Sequence, residues 1–198
     1  MTEMDFYKKI LCKKKINKVL DKGGTVTVSA KVLSVFGDGS RSRAILCTKD
    51  GLRLVMMCKK WSYDFVENLK DVLKPGDVLD VDIYCRNLLE KTPADYMVTR
   101  LTLIENPWEN VEDKVHEADL ITCRVVSKWK NGFSARMDGL PGIVAFVASP
   151  EDKGKRLKVG EYYTCKVVEV SGSYRTLKLN VIEECEPEMY DKRVCLAM

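Results

Sequence analysis

The chain has 198 residues, room for one large domain or two small ones, and its 45% hydrophobic and 31% charged residues are the balance of a folded protein rather than a disordered one. Its net charge of +4 admits an anionic partner without demanding one. No apolar run approaches the ~20 residues of a membrane span, and the N-terminus lacks the apolar core of a secretion signal, so the expectation is a cytoplasmic protein without membrane contact.

Residues 1–23 read as a basic amphipathic helix. Phe6, Ile10 and Leu11 share an apolar stripe with Ile16, Val19 and Leu20, and Lys8, Lys9, Lys13, Lys14, Lys15 and Lys18 take the remaining surface. Asp21-Lys-Gly-Gly24 stops it. Such a helix is expected to cover an end or edge of the domain that follows, with its lysines solvated or facing phosphates or an acidic partner.

Residues 24–105 carry a first set of strand signals. Residues 25–35 alternate Val26, Val28, Ala30 and Val32, and residues 43–48 follow a polar Gly-rich hairpin. Residues 51–58 open with Gly51, residues 64–73 give a short helical pattern through Phe65, Leu69, Val72 and Leu73, and Lys74-Pro-Gly-Asp77 introduces a strand over 78–84. Residues 96–104 close the set. Residues 106–118 form a linker whose Trp108 is expected to pack into the seam between domains.

Residues 119–183 hold a clearer set. Residues 119–127 alternate Ile121, Cys123 and Val125 with Thr122 and Arg124, and residues 132–137 do the same. After the Asp138-Gly139 turn come residues 143–147, a charged loop over 150–158, and two strands over 162–170 and 174–181. The tail, 184–198, carries no strong motif and suits a short helix or an irregular strap.

The two halves repeat each other. Lys74-Pro-Gly-Asp77 and Lys158-Val-Gly-Glu161 stand 84 residues apart, each before a strand, and Gly51 and Gly142 each head a third strand. The fold expected is therefore mainly β: two tandem five-stranded OB-type barrels, with the N-terminal helix and a short helix inside the first.

Gly132, Gly142, Lys158-Val159-Gly160-Glu161 and Leu179-Asn180, with Pro107-Trp108-Glu109 upstream, resemble the S1 RNA-binding domain and the linkers of S1-type ribosomal proteins. The resemblance is clearer in the second half. It implies single-stranded RNA bound on the face of strands two and three, where rings stack on bases and cations follow the backbone. The family's aromatic positions fall on Asn131, Ser134 and Ile143, and its His or Pro of strand three on Ala145, so most of the stacking apparatus is missing from its usual places. Alternation places Phe133 inward, and the same parity is taken to bury Val144 and Phe146.

What is left facing outward is basic and polar: Arg124, Ser134, Arg136, Tyr162, Lys166 and Lys178, with Lys128, Trp129, Lys130, Tyr174 and Arg175 on adjoining loops. Trp129 and Tyr174 are the candidate stacking groups, and Arg43 and Arg53, with other first-barrel cations, extend a positive track. No catalytic motif is present. Eight cysteines stand singly without a C-x-x-C and read as small buried hydrophobes of a reducing compartment, and with His116 the sole histidine no metal or cofactor is expected. The expected function is non-enzymatic binding of single-stranded RNA or a ribonucleoprotein, largely by backbone charge. The alternative is a protein-interaction scaffold, of phage or mobile-element type, that has lost its stacking face and docks a protein through the N-terminal helix or the seam between the barrels.

Overall fold

The structure, a computed structural model, describes residues 3–89, 92–137, 139–148 and 157–185, with side chains described from Tyr7 onward. The expectations for Phe6 in the helix stripe, for the turn residue Asp138, for most of the 150–158 loop and for all but the first residues of the tail lie outside the described residues. The chain divides into two compact units, Met1–Ser62 with Val66–Glu105, and Tyr63–Phe65 with Asn106–Met198.

Each unit is built on a closed five-stranded barrel. The first contains β1 (Val26–Phe36), β2 (Arg43–Thr48), β3 (Arg53–Met57), β4 (Val78–Arg86) and β5 (Tyr96–Thr99), in the order β1-β2-β3-β5-β4. The second contains β6 (Leu120–Trp129), β7 (Gly132–Met137), β8 (Val144–Ala148), β9 (Tyr162–Ser171) and β10 (Thr176–Cys185), with the equivalent order. In both, the third and fifth strands run parallel and every other pair is antiparallel. This is OB-type topology, in which closure leaves no open sheet edge.

The repeat read in the sequence reappears at the level of single hydrogen bonds. In the first unit the Asp77 amide bonds the Lys74 carbonyl, the Gly76 amide bonds the Val32 carbonyl, and the Val32 amide donates to the Asp77 carbonyl. In the second, Glu161, Lys158, Gly160 and Val125 make the same three bonds. Gly76 and Gly160 both sit at left-handed φ, 103° and 97°, where a side chain would be strained. Each turn docks where the first strand bulges, after Val32 and after Val125.

Two separate cores fill the barrels. Leu46, Leu54, Met56, Val81 and Ile83 centre the first, and Val125, Ala135, Val147, Cys165 and Leu179 the second. Helix α1 (Glu3–Leu20) lies on the first barrel through Ile16, which is buried in that core, and through Tyr96, whose hydroxyl bonds the Lys13 carbonyl and the Asn17 side chain. Leu11 and Val19, read as part of the apolar stripe, instead face solvent, because the stripe that docks runs through Cys12, Ile16 and Leu20. The Gly24 amide to the Val19 carbonyl and the Gly23 amide to the Leu20 carbonyl close the helix in a Schellman arrangement.

The helical pattern over residues 64–73 contracts to one 3-10 turn, Leu69–Asp71, which drives Leu69 and Leu73 into the core. The last strand of the first barrel stops at Thr99 rather than running to 104. Trp108, with Val111 of the four-residue α2 (Val111–Lys114) and Val115, is part of the second unit's core cluster. Residues 106–118 therefore work as an integral piece of that unit.

Candidate nucleic-acid interface

The outer face of β7, β8 and β10 is the part of the second barrel that matters. Strand register sets Ser134 opposite Phe146, and Phe146 opposite Lys178, in one transverse row. Ala135, Val147 and Leu179 point the other way and are buried. Phe146, expected inside, is therefore outside and 38% exposed, whereas Ala145 is buried. Alternation sets which residues share a face, and packing decides which face is inside. The barrel interior at this level is already filled by Phe133, and Ile143, Ala145 and Val147 complete it.

Gly132 makes room for that outward ring. A Cβ there would stand 2.5 Å from the Phe146 ring and 2.5 Å from the Val147 carbonyl oxygen, so only glycine lets the ring lie across the strand. Trp129, paired with Gly132, is 48% exposed, and its indole N–H donates to Ser134 Oγ at 2.7 Å. Ser134 occupies a position where the resemblance puts an aromatic ring. It holds the Trp129 indole instead, leaving that ring's faces free of any hydrogen-bonding duty. Two exposed rings, each next to Ser134 or Gly132, thus form a platform that the sequence reading found only in part, through Trp129.

The cations expected on this face divide into two groups. Arg136 donates to Asp64 at 2.8 Å and to the Phe65 carbonyl, Lys178 pairs with Glu169 at 2.5 Å, and Arg124 donates to the Gly160 carbonyl while lying over the Tyr162 ring. Arg175, in the turn before β10, lies over the Tyr63 ring. Lys128 and Lys130 flank Trp129, are exposed, and have no ion-pair partner among the described residues. Tyr174 is 85% exposed, but its turn adjoins the start of β10, while Trp129 lies at the other end of the face beside Gly132. Strand pairing therefore does not bring Tyr174 to the Trp129 and Phe146 rings.

The matching row on the first barrel follows from the shared register. Ile45 corresponds to Ser134, Val55 to Phe146 and Met97 to Lys178. All three are buried, in a small cluster of their own under Tyr84, Cys85, Leu89 and Ala94. The segment between β4 and β5 is the cover. The Asn87 amide group bonds the carbonyls of Leu89, Thr92 and Ala94, which curls the segment over the sheet. Arg43 donates to Thr92 at the edge of this cover, and Arg53, exposed at the start of β3, accepts from the Asp95 amide at its carbonyl and donates its own amide to the Asp95 carboxylate. The first barrel's equivalent face is closed by its own chain.

Asp95 fixes the end of the cover. Its carboxylate accepts from the Arg53 amide at 2.9 Å and pairs with Lys13 at 2.5 Å and Lys9 at 3.3 Å. Burial raises the Asp95 pKa, but the two lysines and the amide outweigh it and hold the group below the usual carboxylate range. Elsewhere, burial pushes the Cys12, Cys58 and Cys85 thiols up, and the hydrogen bond between Cys123 and Cys165, with burial, does the same for Cys123. Among the described residues no group of three or more His, Cys, Asp or Glu is placed to hold a metal ion, and no helix is long and apolar enough to cross a membrane.

No family model matches the chain. It is 28% identical over 172 residues to the 4-hydroxy-3-methylbut-2-enyl diphosphate reductase of Clostridium acetobutylicum, covering 83% of this chain and 25% of that protein. With the Clostridium tetani protein of the same name it shares 27% identity over 129 residues, covering 62% and 20%. The chain thus spans a quarter or less of the length of these curated relatives. Among solved structures, it is similar to the a/eIF2alpha-aDim2p-rRNA complex from Pyrococcus horikoshii at 21% identity and a TM-score of 0.32, covering 39% of this chain and 51% of that one. A multidomain protein with nucleic acid binding domains from Streptococcus pneumoniae gives 14% identity and a TM-score of 0.29, covering 79% and 51%. At such scores these likenesses add nothing to the argument, and the fold rests on strand order.

Proposed function

We propose that this chain binds single-stranded nucleic acid, with RNA the favoured form, through the outer face of the second barrel. The carrying observation is the exposure of Phe146 beside Gly132 and of Trp129 held by Ser134. A base stacked on an exposed ring contributes roughly 1–3 kcal/mol, and a ring already fixed in place loses little entropy on binding. Lys128 and Lys130 supply charge next to it that is unpaired among the described residues, whereas Arg136 and Lys178 must first give up their carboxylate partners. Binding here leans on rings more than on backbone charge, the reverse of the balance expected from the sequence.

The reading is of a binding module rather than an enzyme. The chain matches only 20–25% of the length of its curated relatives, and their reductase activity is not assigned to these residues. The closed face of the first barrel favours one part of the scaffold alternative, the loss of a stacking face, for that unit alone. Fluorescence anisotropy of a labelled single-stranded RNA, titrated with the full chain and with Phe146→Ala and Trp129→Ala at two salt concentrations, tests the proposal. Weaker binding by both variants supports it, and equal binding by all three proteins opposes it.

A further inference from the structure

The lysines of α1 are sorted by direction. Lys9 and Lys13 face the first barrel and both pair with Asp95. Lys8, Lys14, Lys15 and Lys18 are exposed, and none forms an ion pair with a described residue. At 100° per residue these four fall on one arc of the helix, opposite Ile16, and Tyr7 and Leu11 lie within that arc. From Tyr7 to Leu20 the chain holds no Asp or Glu.

An ordinary solvated surface intersperses both signs, and like charges one turn apart weaken a helix. Lys14 and Lys18 stand four residues apart, and Lys8 and Lys15 seven, with no acid between to relieve them. Such a surface attracts a polyanion. An anionic membrane is the poorer fit, because an interfacial helix needs a free apolar face, and the apolar side of α1 is spent on the barrel through Ile16. A flexible chain of phosphates needs only charge and exposed ammonium groups, which this arc provides.

We infer that the outward arc of α1, centred on Lys8, Lys14, Lys15 and Lys18, is a phosphate-backbone binding surface for nucleic acid on the first unit, separate from the ring platform of the second. The choice of ligand rests on the function proposed above. The arc reads no bases, and each lysine that neutralises a phosphate releases counterions, so its contribution falls as salt rises.

The test uses the full chain and the triple variant Lys8→Gln, Lys14→Gln, Lys15→Gln, in which Gln keeps helix propensity close to that of Lys. Lys18 is left in place because it also sits at the negative end of the helix. Binding of a labelled single-stranded RNA is measured across a salt series beside Phe146→Ala, with circular dichroism checking the helix. The expected result is weaker binding at low salt, by ~10-fold or more, with a slope of log affinity against log salt reduced by about 2. An unchanged slope in the triple variant, with Phe146→Ala still weakened, overturns the inference and leaves the proposed function standing. No binding by the unaltered chain at low salt overturns both. Weakening only for an acidic protein ligand, with RNA binding unchanged, reassigns the arc to a protein partner.

Discussion

At the residue scale, Gly132 and Phe146 depend on each other. Because the missing Cβ would meet a backbone carbonyl as well as the ring, no side-chain adjustment accommodates Gly132→Ala. That substitution is expected to destabilise the second unit by about 1–3 kcal/mol in chemical denaturation, as overpacking does. Phe146→Ala, by contrast, removes a half-exposed ring and should leave the fold close to intact while weakening RNA binding roughly 5- to 150-fold, the range one stacked base spans. The sequence made Gly132 legible as a meaningful glycine, and placed Phe133, Arg124, Lys166 and Trp129 on their correct sides. It misplaced Phe146 because parity fixes which residues alternate and not which set is inside. That choice depends on how much room the facing strands leave, and Ala145 paired with Ala135 leaves the interior to Phe133 and Val147.

At the scale of elements, the segment between β4 and β5 and the helix α1 form one device through Asp95. Asp95→Ala should destabilise the first unit by about 1–2 kcal/mol, since it removes charge-assisted bonds from Lys13, Lys9 and the Arg53 amide at a partly buried site. The folded pKa of Asp95 lies below its unfolded value, so this stabilisation is present above the unfolded pKa and fades as pH falls through the folded one. Acid titration of the full chain and of Asp95→Ala should therefore show curves that differ at neutral pH and converge at strongly acidic pH. The turns before the fourth strands were legible from Lys-x-Gly-Asp/Glu because glycine there has a backbone reason. The cover was not, since Leu89 and Ala94 carry no periodicity, and burying Ile45, Val55 and Met97 beneath them is a long-range event.

At the scale of the whole molecule, duplication has produced two barrels of one topology and two surfaces of opposite character. Ser134, Phe146 and Lys178 stay open in one, while Ile45, Val55 and Met97 are sealed in the other. Substitutions at Arg43 or Arg53 should change RNA affinity far less than Phe146→Ala, a comparison that single-point anisotropy measurements at fixed salt can make. The tandem barrel architecture was readable from spacing alone because turns and strand alternation are local. The difference between the two faces was not, because it arises from what each chain lays over its own sheet. The central claim is that rings on the second barrel, more than positive charge, hold the nucleic acid. The most direct measurement is the affinity of the full chain and of the Trp129→Ala, Phe146→Ala double variant for one single-stranded RNA at moderate salt. The account predicts a loss of two orders of magnitude or more, about 2.7 kcal/mol, and equal affinity for the two proteins would contradict it.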